Sequence, residues 1–347
     1  MERILTYAQA LLEGTEQEMR RDPSVFVYGL GVDDFKGIFG TTSGLLQKFG
    51  PERVFDTPLS EDAMTGVGIG AALAGLRPIH VHIRFDFLLL AMNQLVNIAA
   101  KSRYMYGGAV SVPLVVRAII GRSWGQGAQH SQALHSLFMH IPGLRVVAPT
   151  TPYDAKGCLI HSIQDDNPVI FVEHRLLHFV KGHVPEEEYT VPFGAARVLA
   201  PGKDVTLVGI SFMAVECMRA RKHLAAQGID AEVIDPISLT PLDIETIAKS
   251  VRKTGHLVVA DNAWLSCGAS AEIITRLMEH MGGTAFKAAR VGFAPVTCPP
   301  TKILEDNFYP GPETVASLAH SLLRPNAPKW TPAAAAKPEA IEFRGPF

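Results

Sequence analysis

Short apolar runs alternate with helix-patterned stretches along most of this 347-residue chain, and that alternation restricts its fold more than any other feature. A strand reaches a parallel neighbour only through a long crossover, usually a helix, so repeated strand-helix units build a mostly parallel α/β sheet. The pattern predicts strands at Val25 to Tyr28, Pro78 to Val81, Val112 to Arg117, Leu144 to Val147 and Val169 to Val172, with helices between them. It resumes with strands at Val205 to Gly209, Ala231 to Ile234 and His256 to Ala260, and helices at Ala214 to Gln227, Asp243 to Val251 and Ala269 to Met281. This second set suits a compact domain of about five strands.

The length suggests about two domains. The break falls at 181–202, where Gly182-His183-Val184-Pro185-Glu186-Glu187-Glu188-Tyr189 is charged, carries proline and has no strand or helix period. It reads as a linker between a first domain over 1–180 and a second over 203–324. The proline- and alanine-rich stretch 325–347 is expected to be a loose, disordered tail. Within the first domain, Phe87 to Tyr104 is apolar over most of its length, which suits a helix buried in a core or at a subunit interface.

Composition narrows the function. With 47% hydrophobic and 19% charged residues the chain can bury a sizeable core, and its formal net charge of -2 offers no footprint for nucleic acid or an anionic membrane. No apolar run reaches membrane-spanning length and Met1-Glu2-Arg3-Ile4-Leu5 lacks a secretory pattern, so a cytoplasmic location is expected. Cys158, Cys217, Cys267 and Cys298 show no metal-ligand spacing and are expected to be buried, reduced thiols.

Candidate chemistry begins at Glu61, in Thr57-Pro58-Leu59-Ser60-Glu61 ahead of the small-residue run Gly66-Val67-Gly68-Ile69-Gly70. By itself such a residue reads as a first-turn acid favoured by the helix dipole. The glycines lie inside the helix and do not close a strand, as a dinucleotide fingerprint must, so close helix packing is their expected role. Gly125-Gln126-Gly127-Ala128-Gln129-His130 is a flexible polar loop that delivers a histidine ahead of a helix. An imidazole there suits proton transfer or an anionic substrate group, and equally a helix cap. His130, His135 and His140 recur at a spacing that turns each side chain by roughly 140° from the last on a helix, so no metal triad is expected. His80 and His82 share a strand face with no third ligand in view, and structural packing is their expected role. No Gly-x-x-x-x-Gly-Lys-Ser/Thr loop occurs.

Seven motifs then run collinearly up to about Leu323: Phe55-Asp56-Thr57-Pro58-Leu59-Ser60-Glu61, Ala74-Gly75-Leu76-Arg77-Pro78-Ile79, Ala128-Gln129-His130-Ser131-Gln132, Pro142-Gly143-Leu144-Arg145-Val146-Val147-Ala148-Pro149, Asp154-Ala155-Lys156-Gly157, Asp166-Asn167-Pro168-Val169 and Lys302-Ile303-Leu304-Glu305-Asp306-Asn307. In them the chain resembles the beta subunit of the thiamine-diphosphate-dependent 2-oxoacid dehydrogenase component, of the pyruvate and acetoin dehydrogenase type. The resemblance implies a pyrimidine-binding parallel-sheet domain followed by a transketolase C-terminal α/β domain, in a heterotetramer of two alpha and two beta subunits. It implies decarboxylation of pyruvate or a related 2-oxo acid with acyl transfer to lipoamide, and a lipoyl acyltransferase core as a further partner. Thiamine diphosphate would be shared with the alpha subunit, whose Gly-Asp-Gly…Asn motif holds the diphosphate and magnesium; no such motif occurs here.

By the same resemblance Glu61 is the glutamate that hydrogen-bonds the aminopyrimidine ring nitrogen. A carboxylate sharing a proton there favours the imino tautomer of the exocyclic amine, which then serves as the base for the thiazolium carbon. Leu59, Ile83 and Phe87 would wall the aminopyrimidine and keep water out. His130 would stand near substrate and the incoming lipoyl group. Leu114, Ser162, Ile163, Asp165 and Asn167 correspond to a potassium site.

The chain also departs from the family. Where the pyruvate-type pattern has Glu-Phe-Met-Thr-Phe-Asn-Phe, it has Val81-His82-Ile83-Arg84-Phe85-Asp86-Phe87, with Arg84 and Asp86 as new charges beside the cofactor wall, expected as an ion pair. Gly121-Arg122-Ser123-Trp124 adds a cation and a large ring ahead of His130. These departures leave open another oxo acid, and an alternative reading as a split transketolase-like carboligase with a non-lipoyl acceptor.

Overall fold

The computed structural model describes residues 3–34, 36–122 and 125–333. The chain divides into two compact units, Met1–Ile120 with Leu137–Phe193, and Gly121–Ser136 with Gly194–Phe347.

In the first unit, adjacent parallel strands run in the order Arg145–Val147, Val169–His174, Val115–Ile120, Arg77–His82, Val25–Gly29 and Val54–Asp56. Val115–Ile120 and Val169–His174 are buried at every position, as central parallel strands covered on both faces must be. That is why they are written as almost unbroken apolar runs. Val54–Asp56 escapes the sequence pattern because three residues are too few to show a period.

Two charges interrupt the apolar text. Arg117 and Glu173 are fully buried and meet as a fork, Nε to Oε1 at 2.6 Å and NH2 to Oε2 at 3.0 Å, while His178 Nε2 lies 3.0 Å from the same Oε2. Burial alone would raise the Glu173 carboxyl, but the Arg117 guanidinium and the His178 hydrogen bond outweigh it and hold the group at about 2.

A second buried cation explains the Asp154-Ala155-Lys156-Gly157 motif. Helix Pro152–Gln164 packs on helix Tyr7–Arg21, and the buried Lys156 ammonium donates to Glu13 at 2.7 Å and to the carbonyls of Pro185, Glu186 and Glu187 at 2.7, 3.2 and 2.9 Å. A Cβ on Gly157 would come within 2.7 Å of Tyr189 and Val191. The motif therefore clasps the acidic stretch read as a linker. That stretch also carries a strand at each end: Lys181–His183 pairs antiparallel with Ile4–Thr6, and Arg197–Ala200 forms an antiparallel edge in the second unit. Edge strands this short show no alternation to read.

The segment Phe87 to Tyr104 is not one buried helix. It passes through 3-10 turns over Phe85–Ala91, a π-type stretch over Gln94–Ala99 and an α-helix over Ala100–Met105. Leu90 and Met105 are 60% and 67% exposed and Tyr104 is 89% exposed, so much of its apolar surface is uncovered by this chain.

The second unit holds a five-stranded sheet in the order Lys287–Phe293, His256–Trp264, Val205–Gly209, Ala231–Asp235 and Arg197–Ala200. Helices Phe212–Ala225 and Pro312–Leu323 pack against one another, as do Ile244–Thr254 and Ala269–Met281. Part of the expected loose tail is packed: Trp330 lies against this core with its ring 5.0 Å from that of His320, and the Ser317 hydroxyl donates to its carbonyl at 2.7 Å. Residues 334–347 lie outside the described residues. Cys158, Cys217 and Cys298 are buried free thiols, whereas Cys267 is exposed. Among the described residues no helix is long and apolar enough to cross a membrane.

Removing the acid from the buried fork should be costly. Glu173→Gln is expected to lower stability by about 3–5 kcal/mol at pH 7, because it strands the Arg117 charge. The folded-state value of Glu173 lies below its unfolded value of about 4.3, so its contribution is complete above that pH and disappears as pH falls toward about 2. Melting curves of both proteins across that range should converge in acid. Lys156→Met is expected to release 185–191, seen as faster limited proteolysis in that stretch.

Candidate active site

In the first unit the connections from Val25–Gly29 run outward to Val54–Asp56 on one side and then to Arg77–His82 on the other. Such a switch point opens a crevice at the carboxyl ends of the strands. Gly29 adopts φ 146° there, and a Cβ on it would meet the Val81 carbonyl oxygen at 2.2 Å, so the position accepts glycine alone. The Gly31 amide donates to Asp56 Oδ1 at 2.6 Å, which gives the motif aspartate a turn-holding role.

Glu61 lies in this crevice with Leu30, Thr57, Met64, His80 and His82 around it. It is the first residue of helix Glu61–Leu73, half-buried, and its carboxylate accepts no hydrogen bond from the described residues. The helix is drawn onto the sheet by Tyr28, whose hydroxyl donates to the Met64 carbonyl at 3.1 Å and would lie 1.9 Å from a Cβ on Gly68. Gly68 thus has the packing role expected of it; Gly66 faces Gln94, and Gly70 faces open space.

His80 and His82 form the polar floor. His80 stacks on Tyr28 with ring centres 4.3 Å apart, and its Nδ1 lies 3.2 Å from His82 Nε2 and 3.4 Å from Thr65 Oγ1. Burial pushes His82 down to about 4, and burial together with the neighbouring His82 pushes His80 well below its ordinary value. Both rings are therefore neutral near pH 7. The sequence reading placed them in packing alone and missed their position beside Glu61, which follows only from the sheet order.

Of the expected wall, Leu59 is 80% exposed, while Ile83 and Phe87 are half-buried. Arg84 and Asp86 are both buried; Arg84 NH1 donates to the Ile83 carbonyl at 2.7 Å. Burial lowers the Arg84 guanidinium to about 10, with the Asp86 charge opposing the shift.

His130 follows a 3-10 turn, Gly127–Gln129, in the Gly121–Ser136 segment, so Glu61 and His130 belong to different compact units. Arg122, expected as a cation near substrate, is engaged with its own unit: its guanidinium lies 4.8 Å from the Tyr309 ring centre and 3.9 Å from Asp306. Ser123 and Trp124 lie outside the described residues.

Of the residues of the expected potassium site, Ile163 and Asp165 turn their carbonyls to Arg77. Its NH1 donates to the carbonyls of Ile163 and Asp165 at 3.0 and 3.3 Å, and Asn167 donates through N and Nδ2 to Asp165 Oδ1 at 2.7 and 2.6 Å. The Leu114 carbonyl accepts from Val169 N at 2.9 Å, and the Ser162 hydroxyl donates to Cys158 O at 2.7 Å. Carbonyls with a second lone pair suit a monovalent ion in kind, although Arg77 already brings two of them a positive partner.

Comparison with known proteins agrees with this architecture. Residues 4–179 match the transketolase pyrimidine binding domain and residues 194–315 the transketolase C-terminal domain. The chain is 43% identical over 340 residues to the acetoin:2,6-dichlorophenolindophenol oxidoreductase subunit beta of Cupriavidus necator, covering 93% of this chain and 99% of that one. It is 41% identical over 315 residues to the mitochondrial pyruvate dehydrogenase E1 component subunit beta of Bos taurus, covering 88% and 87%. Among solved structures, a split gene transketolase described as an inactive beta4 tetramer shares the fold, with TM-score 0.76, 21% identity, and coverage of 92% of this chain and 98% of that one. The chain belongs to the beta subunits of the thiamine-diphosphate-dependent 2-oxo acid dehydrogenase E1 family, the group that includes the pyruvate and acetoin enzymes.

Proposed function

We propose that this chain is the beta half of an E1 enzyme that decarboxylates pyruvate or a related 2-oxo acid and passes the acyl group to lipoamide. The observation that carries the proposal is Glu61: a carboxylate without a hydrogen-bond partner among the described residues, at a helix start, in the crevice where a doubly wound sheet binds its ligand. Bound thiamine diphosphate supplies the carbanion chemistry that no protein side chain offers. Glu61 holds the proton shared with the aminopyrimidine ring nitrogen. The neutral His80 and His82 bring no positive charge to compete for that carboxylate. Leu59, Ile83 and Phe87 exclude water from the ring, and His130 donates to the substrate carboxylate.

Diphosphate and magnesium fall to an alpha subunit, and the assembly is two alpha and two beta chains, which can dock on a lipoyl acyltransferase core. Exposed Leu90, Tyr104 and Met105, carried by one short stretch of the first unit, support a partner there, since exposed apolar surface marks interaction sites. The carboligase alternative gains nothing from the named relatives, which are oxidoreductase subunits. Potassium at the Ile163 and Asp165 carbonyls is part of the proposal. The complex should melt higher in KCl than in choline chloride at equal ionic strength, and equal melting would remove the ion.

The decisive experiment reconstitutes the chain with an alpha subunit bearing Gly-Asp-Gly…Asn and supplies pyruvate with a lipoyl domain or an aldehyde as acceptor. Acyl-lipoyl product is expected, and product only with the aldehyde would reverse the choice. Glu61→Gln should keep assembly and lose about 10²–10⁴-fold in kcat. Full thiamine-dependent turnover in that variant would refute the role of Glu61.

A further inference from the structure

His130 is carried by Gly121–Ser136, a stretch that leaves the first unit after Ile120 and belongs with the second. It is fastened there at several of its described residues. Near its start, Arg122 stacks on Tyr309 and its NH1 donates to the Glu305 carbonyl at 3.4 Å. Gly125 and Gly127 lie against Pro300, and a Cβ on Gly125 would meet the Pro300 carbonyl oxygen at 2.1 Å. Cys298 Sγ donates to the Ser131 carbonyl at 3.7 Å. Near its end, His135 Nε2 lies 3.0 Å from Asp261 Oδ2, with the two residues 0% and 2% exposed.

The last contact stands out chemically. Acceptance by the Asp261 carboxylate requires the proton on His135 Nε2, and Nδ1 has no hydrogen-bond partner among the described residues. A buried polar pair with one atom unsatisfied is a poor way to gain stability, since an apolar pair of similar volume serves as well or better. What the pair adds is direction: a leucine can pack in several ways, whereas a ring nitrogen aimed at one carboxylate oxygen fixes a single placement.

We infer that His135 and Asp261 are positioning residues, which with the Arg122–Tyr309 contact lock the Gly121–Ser136 segment onto the C-terminal unit and so set where His130 stands during turnover. The inference rests on the reading of His130 as a substrate-facing group. It also assigns the Lys302-Ile303-Leu304-Glu305-Asp306-Asn307 motif a purpose, as part of the surface that receives this segment.

The test uses the reconstituted alpha-beta complex with His135→Leu, His135→Gln and Asp261→Asn, followed by hydrogen exchange and steady-state kinetics. His135→Leu should speed exchange within 121–136 by about tenfold or more and leave the Arg77–His82 strand protected as before. Its kcat should fall by about tenfold to a hundredfold, with KM for thiamine diphosphate within about twofold of wild type. His135→Gln and Asp261→Asn, which can keep a hydrogen bond, should recover most of both. Wild-type exchange and kcat in His135→Leu would overturn the inference. So would loss of protection spread across the whole second unit, or no recovery in the conservative variants, because either would make the pair an ordinary core contact. His130→Ala separates the two levels: wild-type turnover there would refute the role of His130, while exchange in 121–136 still judges the lock.

Discussion

A parallel sheet covered on both faces leaves its strand ends as the places where a polar group can meet a ligand, and the first unit is organised by that constraint. Val115–Ile120 and Val169–His174 are buried throughout, so the charges they carry must be satisfied inside. Arg117 and Glu173 do this by pairing with one another. At the carboxyl ends the demand is reversed: Gly29 lets the backbone turn against Val81, Asp56 fixes Gly31, and the helix start at Glu61 leaves a carboxylate without a hydrogen-bond partner among the described residues.

Helix Glu61–Leu73 is held by contacts too close for ordinary side chains. Tyr28 against Gly68 determines its height above the sheet, and Thr65 facing His80 determines its rotation. His80 and His82 then line the floor beside Glu61 as neutral rings, because burial makes a second proton too costly. The floor that these two rings form is thus polar without being charged.

Comparable clasps recur elsewhere. Lys156 holds the acidic stretch beyond strand Lys181–His183, Arg77 gathers the carbonyls of Ile163 and Asp165, and His135 holds Gly121–Ser136 to Asp261. Each places a long or ring-bearing residue on backbone carbonyls or a single carboxylate; Lys156 and His135 fasten stretches with little helix or strand of their own, whereas Arg77 takes up carbonyls at the C-terminal end of helix Pro152–Gln164. Irregular chain needs such fixing because it cannot satisfy its own backbone groups.

The sequence by itself determined the alternating α/β architecture, the central strands of both units, the family motifs and Glu61 as the residue to follow, because periodicity and local motifs are properties of neighbouring residues. Short edge strands such as Val54–Asp56 and Arg197–Ala200 were not legible, since three or four residues show no period. Nor was the break-up of Phe87 to Tyr104, which local apolarity could not separate from a single buried helix. Only the tertiary structure decided that His80 and His82 flank Glu61, that Arg122 is occupied by Tyr309, and that His135 meets Asp261 across 126 positions of chain. Those pairings depend on which strands lie side by side, and strand order is decided by long-range packing that no local stretch of sequence encodes.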